Sequence, residues 1–196
     1  MDGLTVSVMV LWVLVLVLAL LVWALSRQVG VLFERVAPMG ALMTDAGPAV
    51  GSASPTWDLP TLHSSRVRIG GVQERTTLLF FLSPTCPVCK KLLPVVQALV
   101  RDESKQLRVV LASDGTEEPH AAFIAQHGLQ ALPYVLSSEL GMAYRVSRLP
   151  YAVVLSPSGI VSAKGLVNSR EQLDSLLNAH DMGMPSIQQY LQNQPV

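Results

Sequence analysis

An α/β domain with a central mixed β-sheet flanked by helices, carried behind an N-terminal transmembrane helix, is the architecture these 196 residues predict. Three observations point to it. The run Leu4 to Leu25, LTVSVMVLWVLVLVLALLVWAL, contains no ionisable residue. Beyond it, short β-rich runs alternate with stretches of helical periodicity in the order βαβ, αβα, ββα, which a sheet covered by helices on both faces accommodates. Finally, PYAVVLSPSGIVSAKG sets two β-rich runs around SPSG, whose Pro and Gly suit a tight turn. Half the residues are hydrophobic and 14% are charged, a bias that comes largely from the first twenty-five positions. The formal net charge is zero. With no basic cluster to follow a phosphate backbone, no nucleic-acid partner is expected.

The first element is the apolar run. As a helix, Leu4 to Leu25 would be about 33 Å long, enough to cross a bilayer core of roughly 30 Å. It is apolar on every face, unlike a core helix of a soluble domain. A cleaved signal peptide competes with the anchor reading, because Ala24 and Ser26 loosely mimic a small-x-small cleavage site. Against cleavage, the run exceeds a signal core of about 7 to 15 residues and no basic residue precedes it. Orientation is contested: Asp2 precedes the span while Arg27 and Arg35 follow it, so the charge rule alone puts the C-terminal domain in the cytoplasm. The expected division is an anchor over 1–27, a Gly, Ala and Pro-rich linker over 28–55, a folded domain over 56–180 and a tail over 181–196.

Within the domain, RVRIGGV alternates at Val67 and Ile69, suggesting a short hairpin or edge strand. TTLLFFLS reads as a strand buried on both faces. From Pro87 to about Glu103, Leu92, Val96, Leu99 and Val100 recur at helical spacing, with Pro94 expected to bend the helix. LRVVLAS is a second core strand. EEPHAAFIAQHGL predicts a helix ended by Gly128, Leu132 to Leu136 a short strand, and ELGMAYRV a further short helix. After the hairpin, Ser169 is the candidate N-cap of a closing helix with Leu173, Leu176 and Leu177 on its apolar face.

The chain's two cysteines, Cys86 and Cys89, stand in SPTCPVCK directly after the buried strand. A structural zinc site needs four ligands, and His63, His120, His127 and His180 are scattered without the spacing of a second pair. A bridge across so small a loop would restrain the unfolded chain little. Two inert buried thiols are the plain alternative. A redox pair explains the placement as well as the spacing. A cysteine at the first turn of a helix meets outward-pointing N–H groups whose dipoles favour a thiolate, which makes Cys86 the attacking sulfur. Pro87 presets that turn without losing a needed hydrogen bond. Lys90 can add to the positive field, and Cys89, one turn on and deeper, is the resolving thiol. Pro87, Val88 and Lys90 are the expected tuning positions.

LLFFLSPTCPVCKKLLPVV resembles the active-site strand, CxxC and first helix of the thioredoxin superfamily, down to the Lys after the second cysteine and the downstream Pro. VSRLPYAVVLSPSGIVSAKG is similar to that superfamily's second signature, a cis-proline loop followed by a hairpin, with Pro150 at the matching position. The resemblance implies a thioredoxin-like fold, a cis Pro150 stacked beside the CxxC, and Leu149 backbone groups offered to an extended substrate. The long interval from Cys89 to Pro150 resembles the membrane-anchored TlpA-like branch. The anchor, ERVAPMGAL, SPTCPVCK and the terminal GMPSIQQYL together resemble the MauD family of methylamine-utilisation proteins.

That narrower resemblance implies a periplasmic thiol-disulfide oxidoreductase or isomerase on the inner membrane. Its client would be the disulfide-rich small subunit of methylamine dehydrogenase. The other expected contacts are membrane lipid around residues 4–25 and a membrane electron-transfer partner; no metal and no cofactor are called for. Two positions depart from the wider superfamily. Thr85 stands where many relatives have Trp. Phe80 occupies the place of a buried acid that assists the resolving thiol, so Cys89 needs another base or water. The direction of electron flow stays open. Three rivals do too: a peroxiredoxin, in which Ser83 would replace the expected Thr; a non-enzymatic maturation scaffold; and a thiol reductant in cytochrome c assembly.

Overall fold

The computed structural model describes the backbone of residues 3–35 and 47–181, with side chains over 3–23 and 47–180. The chain divides into two units, at residues 44 and 45. The first contains α1 (Gly3–Arg35). Its Gly3–Trp23 portion has a mean hydropathy of 3.0 and no buried residue, which makes it a candidate membrane span by length and composition. The helix does not stop at the expected boundary after residue 27. It continues to Arg35, so the first part of the expected linker is helical. The rest of the linker up to residue 46, and the tail from 182, lie outside the described residues.

The second unit is built on a five-stranded sheet in the order β5-β4-β3-β6-β7. Its strands are β3 (Thr76–Phe81), β4 (Leu107–Ser113), β5 (Tyr134–Leu136), β6 (Tyr151–Leu155) and β7 (Val161–Leu166). β3 is central, parallel to β4 and antiparallel to β6. Both faces of β3 are covered, which is why TTLLFF shows no alternation: Leu78 and Phe80 enter one apolar cluster, Leu79 and Phe81 the other. The first cluster lies under α2 (Pro87–Asp102), α3 (Glu117–His127) and α5 (Arg170–Asp181). The second takes in Leu140 of α4 (Ser138–Ala143), Tyr144 and a small two-stranded ribbon that precedes β3.

That ribbon pairs β1 (Trp57–Pro60) with β2 (Arg66–Ile69). The strand at RVRI is therefore paired backward to WDLP, and the Gly70-Gly71 pair that follows leads out of the ribbon rather than closing it. The domain also begins earlier than residue 56. Gly51 N–H donates to the Val161 carbonyl at 2.8 Å, Val161 N–H to the Ser52 carbonyl at 2.9 Å and Ser54 N–H to the Gly159 carbonyl at 2.9 Å. Residues 51–54 thus edge the β6–β7 hairpin instead of serving as a tether. Gly159 permits that approach: with φ +81°, an added Cβ would sit 2.5 Å from the Gly71 carbonyl oxygen.

α2 buries Cys89, Leu92, Leu93 and Val96 along one stripe, with Pro94 inside the helix. α3 ends at Gly128 in the left-handed conformation. The Ser137 hydroxyl caps α4, and Ser169 accepts from Gln172 N–H at 3.4 Å at the start of α5. The interval between β4 and Pro150 is filled by α3, β5 and α4, with β5 forming the sheet edge beside β4.

Candidate active site

β3 delivers the site. Its ladder ends with Phe81 opposite Tyr151, so the next residue, the buried Leu82, lies beside the start of β6, where Pro150 sits. The chain then makes a short turn: Ser83 and Thr85 hydroxyls lie 3.0 Å apart, and Cys86 N–H donates to the Ser83 carbonyl at 3.1 Å. Cys86 is the N-cap of α2 with extended backbone, and Pro87 occupies the first helical position. The Cys86 sulfur takes the place of a capping oxygen, accepting from Cys89 N–H at 3.2 Å. One orphan donor of the first turn is thus aimed at the sulfur predicted to attack.

Both cysteines are free thiols, Cys86 half-buried and Cys89 completely buried. Burial pushes the Cys89 thiol up to about 12; its hydrogen-bonded neighbour Cys86 adds to this, and the Ser83 backbone opposes it. Val88 packs half-buried against the cluster that holds Cys89, while Pro87 and Lys90 are exposed. The Leu149–Pro150 bond is cis. Pro150 directs its carbonyl to Val167 N–H at 3.1 Å, whereas the backbone of Leu149 makes no hydrogen bond among the described residues. The Leu149 side chain touches both core clusters and borders a cavity of about 160 Å³ lined also by Leu82, Ser113, Ser137, Val146 and Arg148.

Phe80 is completely buried in the same cluster as Cys89, and among the described residues no Asp or Glu is buried. The domain instead buries polar groups that the sequence did not single out as site residues: His120, Tyr134 and Ser113, from α3, β5 and β4, with Tyr134 in the cluster that holds Cys89. Residues 113, 120 and 134 are too far apart in the chain for any spacing rule to join them.

A half-exposed sulfur at a helix N-terminus, a buried partner one turn on and a cis-proline loop across the sheet end define a thioredoxin-like protein. A family model described as thioredoxin-like matches residues 74–161. The thioredoxin domain of a thiol-disulfide oxidoreductase from Bacteroides vulgatus superposes with a TM-score of 0.58 at 18% identity, covering 66% of this chain and 96% of that one. Methylamine utilization protein MauD of Methylorubrum extorquens is 48% identical over 193 residues, covering 97% of this chain and 93% of that protein. MauD of Paracoccus versutus is 46% identical over 191 residues, covering 97% and 96%. The chain belongs to the MauD family.

Proposed function

We propose that this chain is a membrane-anchored thiol-disulfide oxidoreductase of methylamine utilisation. Its client is the disulfide-rich small subunit of methylamine dehydrogenase, and it works on the periplasmic side of the inner membrane. The observation that carries the chemistry is the capping geometry, in which a half-exposed Cys86 sulfur receives a backbone N–H while Cys89 waits buried one turn away. In the reducing direction the Cys86 thiolate attacks one sulfur of a client disulfide, forming the Cys86–client bond and releasing the other client sulfur as a thiolate that takes a proton from solvent. Cys89 then loses its proton and attacks Cys86; the Cys86–Cys89 bond forms, the client leaves reduced, and the pair is left oxidised. Oxidation of a client runs the same steps backward, and isomerisation stops short of the second step.

An extended client strand has a place to pair, because the backbone of Leu149 makes no hydrogen bond among the described residues and Pro150 sits beside the end of β3. Pro87, Val88 and Lys90 surround the pair and tune it, and an electron-transfer partner in the membrane returns it to its working state. The anchor is the Gly3–Trp23 span, kept uncleaved. The family name supports the methylamine role, and disulfide chemistry supports the outward placement against the direction set by Arg27 and Arg35.

The test is a Cys89→Ser variant expressed with the methylamine-utilisation proteins, followed by non-reducing electrophoresis and mass spectrometry. A mixed disulfide between Cys86 and the dehydrogenase small subunit is expected. Full maturation of the dehydrogenase with a Cys86→Ser/Cys89→Ser double variant would mark a scaffold instead, and traps holding only cytochrome c apoproteins would move the client.

A further inference from the structure

The sequence contains no run of basic residues, yet folding gathers three arginines at the end of the sheet opposite the cysteine pair. Arg68 stands in β2, Arg75 just before β3 and Arg108 in β4. With Val72, Gln73 and Glu74 they line a cavity of about 430 Å³. Arg108 is half-buried, and its Nη2 donates to the Arg68 carbonyl at 2.7 Å and to the Thr77 hydroxyl at 3.2 Å. Arg75 Nη1 donates to the Ser104 carbonyl at 2.7 Å. Each of these acceptors is neutral. Among the described residues none of the three guanidinium groups makes an ion pair, and Glu74, the one carboxylate in the lining, is exposed. Burial holds the Arg108 pKa below its ordinary value, and the charge of Arg75 lowers it further. Like charges thus face one cavity, each with spare donors in a fork that fits two oxygens of a phosphate group.

The place of the cluster in the fold says where that phosphate comes from. Gln73 N–H donates to the Pro157 carbonyl at 2.7 Å, and Gly71 lies against Gly159, so the segment that lines the cavity abuts the β6–β7 turn. The same turn receives residues 51–54, through Ser54 N–H on the Gly159 carbonyl at 2.9 Å. The chain that comes from the Gly3–Trp23 span therefore joins the domain at the end that carries the arginines. Residues 24–46, between span and domain, reach about 80 Å at most when fully extended. A domain tethered so closely meets lipid headgroups at high effective concentration, and a few weak contacts are then enough. Val72, 82% exposed at the rim of the cavity, adds an apolar tip beside the basic groups.

We propose that Arg68, Arg75 and Arg108, with Val72 at their rim, form a surface that docks reversibly on the phosphate groups of anionic phospholipids. This inference rests on the membrane-anchored reading above and adds what the domain itself does at the bilayer. β3 starts at the docking end with Thr76 and delivers Cys86 at the other. The docked domain turns its cysteine pair away from the bilayer, toward the client. Release from the lipid frees the pair to meet the electron-transfer partner in the membrane, so the contact is weak by necessity.

The experiment places a spin label on Val72→Cys or, as the reference near the cysteine pair, on Lys91→Cys, in the full chain carrying Cys86→Ser and Cys89→Ser. The labelled chain is reconstituted in nanodiscs of phosphatidylcholine alone or of equal parts phosphatidylcholine and phosphatidylglycerol. Power saturation then reads how far each label is open to oxygen and to a water-soluble nickel reagent. In the anionic discs the label at 72 should gain oxygen contact and lose nickel contact, while the label at 91 stays in water, and raised salt should reverse the change. Arg68→Gln and Arg75→Gln should each lower the docking equilibrium about fivefold, the worth of one basic residue at an anionic surface. A label at 72 equally open to nickel in both discs, or a contact indifferent to salt, would overturn the proposal. Thermal stabilisation by millimolar inorganic phosphate, lost in Arg68→Gln, with the label at 72 in water in both discs, would assign the cluster to a soluble anion instead. A chain that enters neither disc defeats the anchor and the contact alike, whereas one that inserts in both and leaves the label at 72 in water defeats the contact alone.

Discussion

Alkylation of the reduced chain with iodoacetamide should separate the two sulfurs by more than a thousandfold, and the structure supplies the factor. The Cys89 thiol is completely buried and pushed up to about 12 from an ordinary 9.0. At pH 8 the thiolate fraction is then about 10⁻⁴ rather than about 10⁻¹, so ionisation alone slows its alkylation about 10³-fold, before any exclusion of the reagent. The same difference is a stability statement. The folded chain keeps the Cys89 proton up to about pH 12 and the unfolded chain releases it near 9.0, so the unfolded state binds fewer protons across that window. The stabilisation is complete below pH 9 and declines as pH rises toward 12, by up to about 4 kcal/mol. Tyr134 and Tyr144 are also pushed up by burial, and their contributions decline in the same sense at higher pH. The Cys89 share must therefore be read as the difference between wild type and Cys89→Ala. The assay is timed alkylation between pH 7 and 10, quenched and read by peptide mass spectrometry, with a guanidinium-unfolded control in which both cysteines label alike. Native labelling of Cys89 within tenfold of Cys86 would refute the reasoning.

Cys86→Ser should abolish mixed-disulfide formation with a peptide disulfide, while Cys89→Ser should form it and fail to release it, as followed by non-reducing electrophoresis. Gly159→Ala should lower unfolding stability by at least about 2 kcal/mol in denaturant titration, since it adds left-handed strain to a clash with the Gly71 carbonyl. Phe80→Asp should cost several kcal/mol by placing an unpaired carboxyl in a fully buried site, and more at pH 8 than at pH 5, because the buried acid resists ionisation that the unfolded chain undergoes freely.

Legibility in the sequence followed how local each cause was. TTLLFF, the CPVC turn and the hairpin around SPSG are fixed by contiguous residues, and each forms where the pattern placed it. The capping role of Cys86 and the position of Pro87 follow from the same few residues. WDLP carried too little: four residues ending in Pro become a strand because β2 pairs with them. Residues 51–54 looked like linker because their order comes from hydrogen bonds to Gly159 and Val161, over a hundred positions away. α1 continues to Arg35 because SRQVGVLFER contains no Pro to break a helix already formed, and its one stop signal, Gly30, is carried inside the helix. His120 gave no local sign at all. In EEPHAAFIAQHGL it is one polar residue among several, and only folding brings Tyr134 from β5 and the Asp114 carbonyl to its two nitrogens.

Phe80 reveals how the site divides its work. A carboxylate in that position would have to be desolvated at a cost of several kcal/mol, and the apolar ring removes that cost from the fold. It also leaves Cys89 in surroundings that resist charge whichever way electrons flow. The same sulfur must lose its proton to close the disulfide and regain it when the disulfide opens, and microscopic reversibility requires one path for both. Burial of Cys89 therefore sets how fast the second step runs, and by itself it favours neither oxidation nor reduction of a client. In the proposed exchange that preference belongs to the other end of the pair, where the Cys89 N–H and the first turn of α2 meet the half-exposed Cys86 sulfur beside Pro87 and Val88. Substitutions at 87 and 88 should therefore move the redox potential while leaving the rate of the second step nearly unchanged.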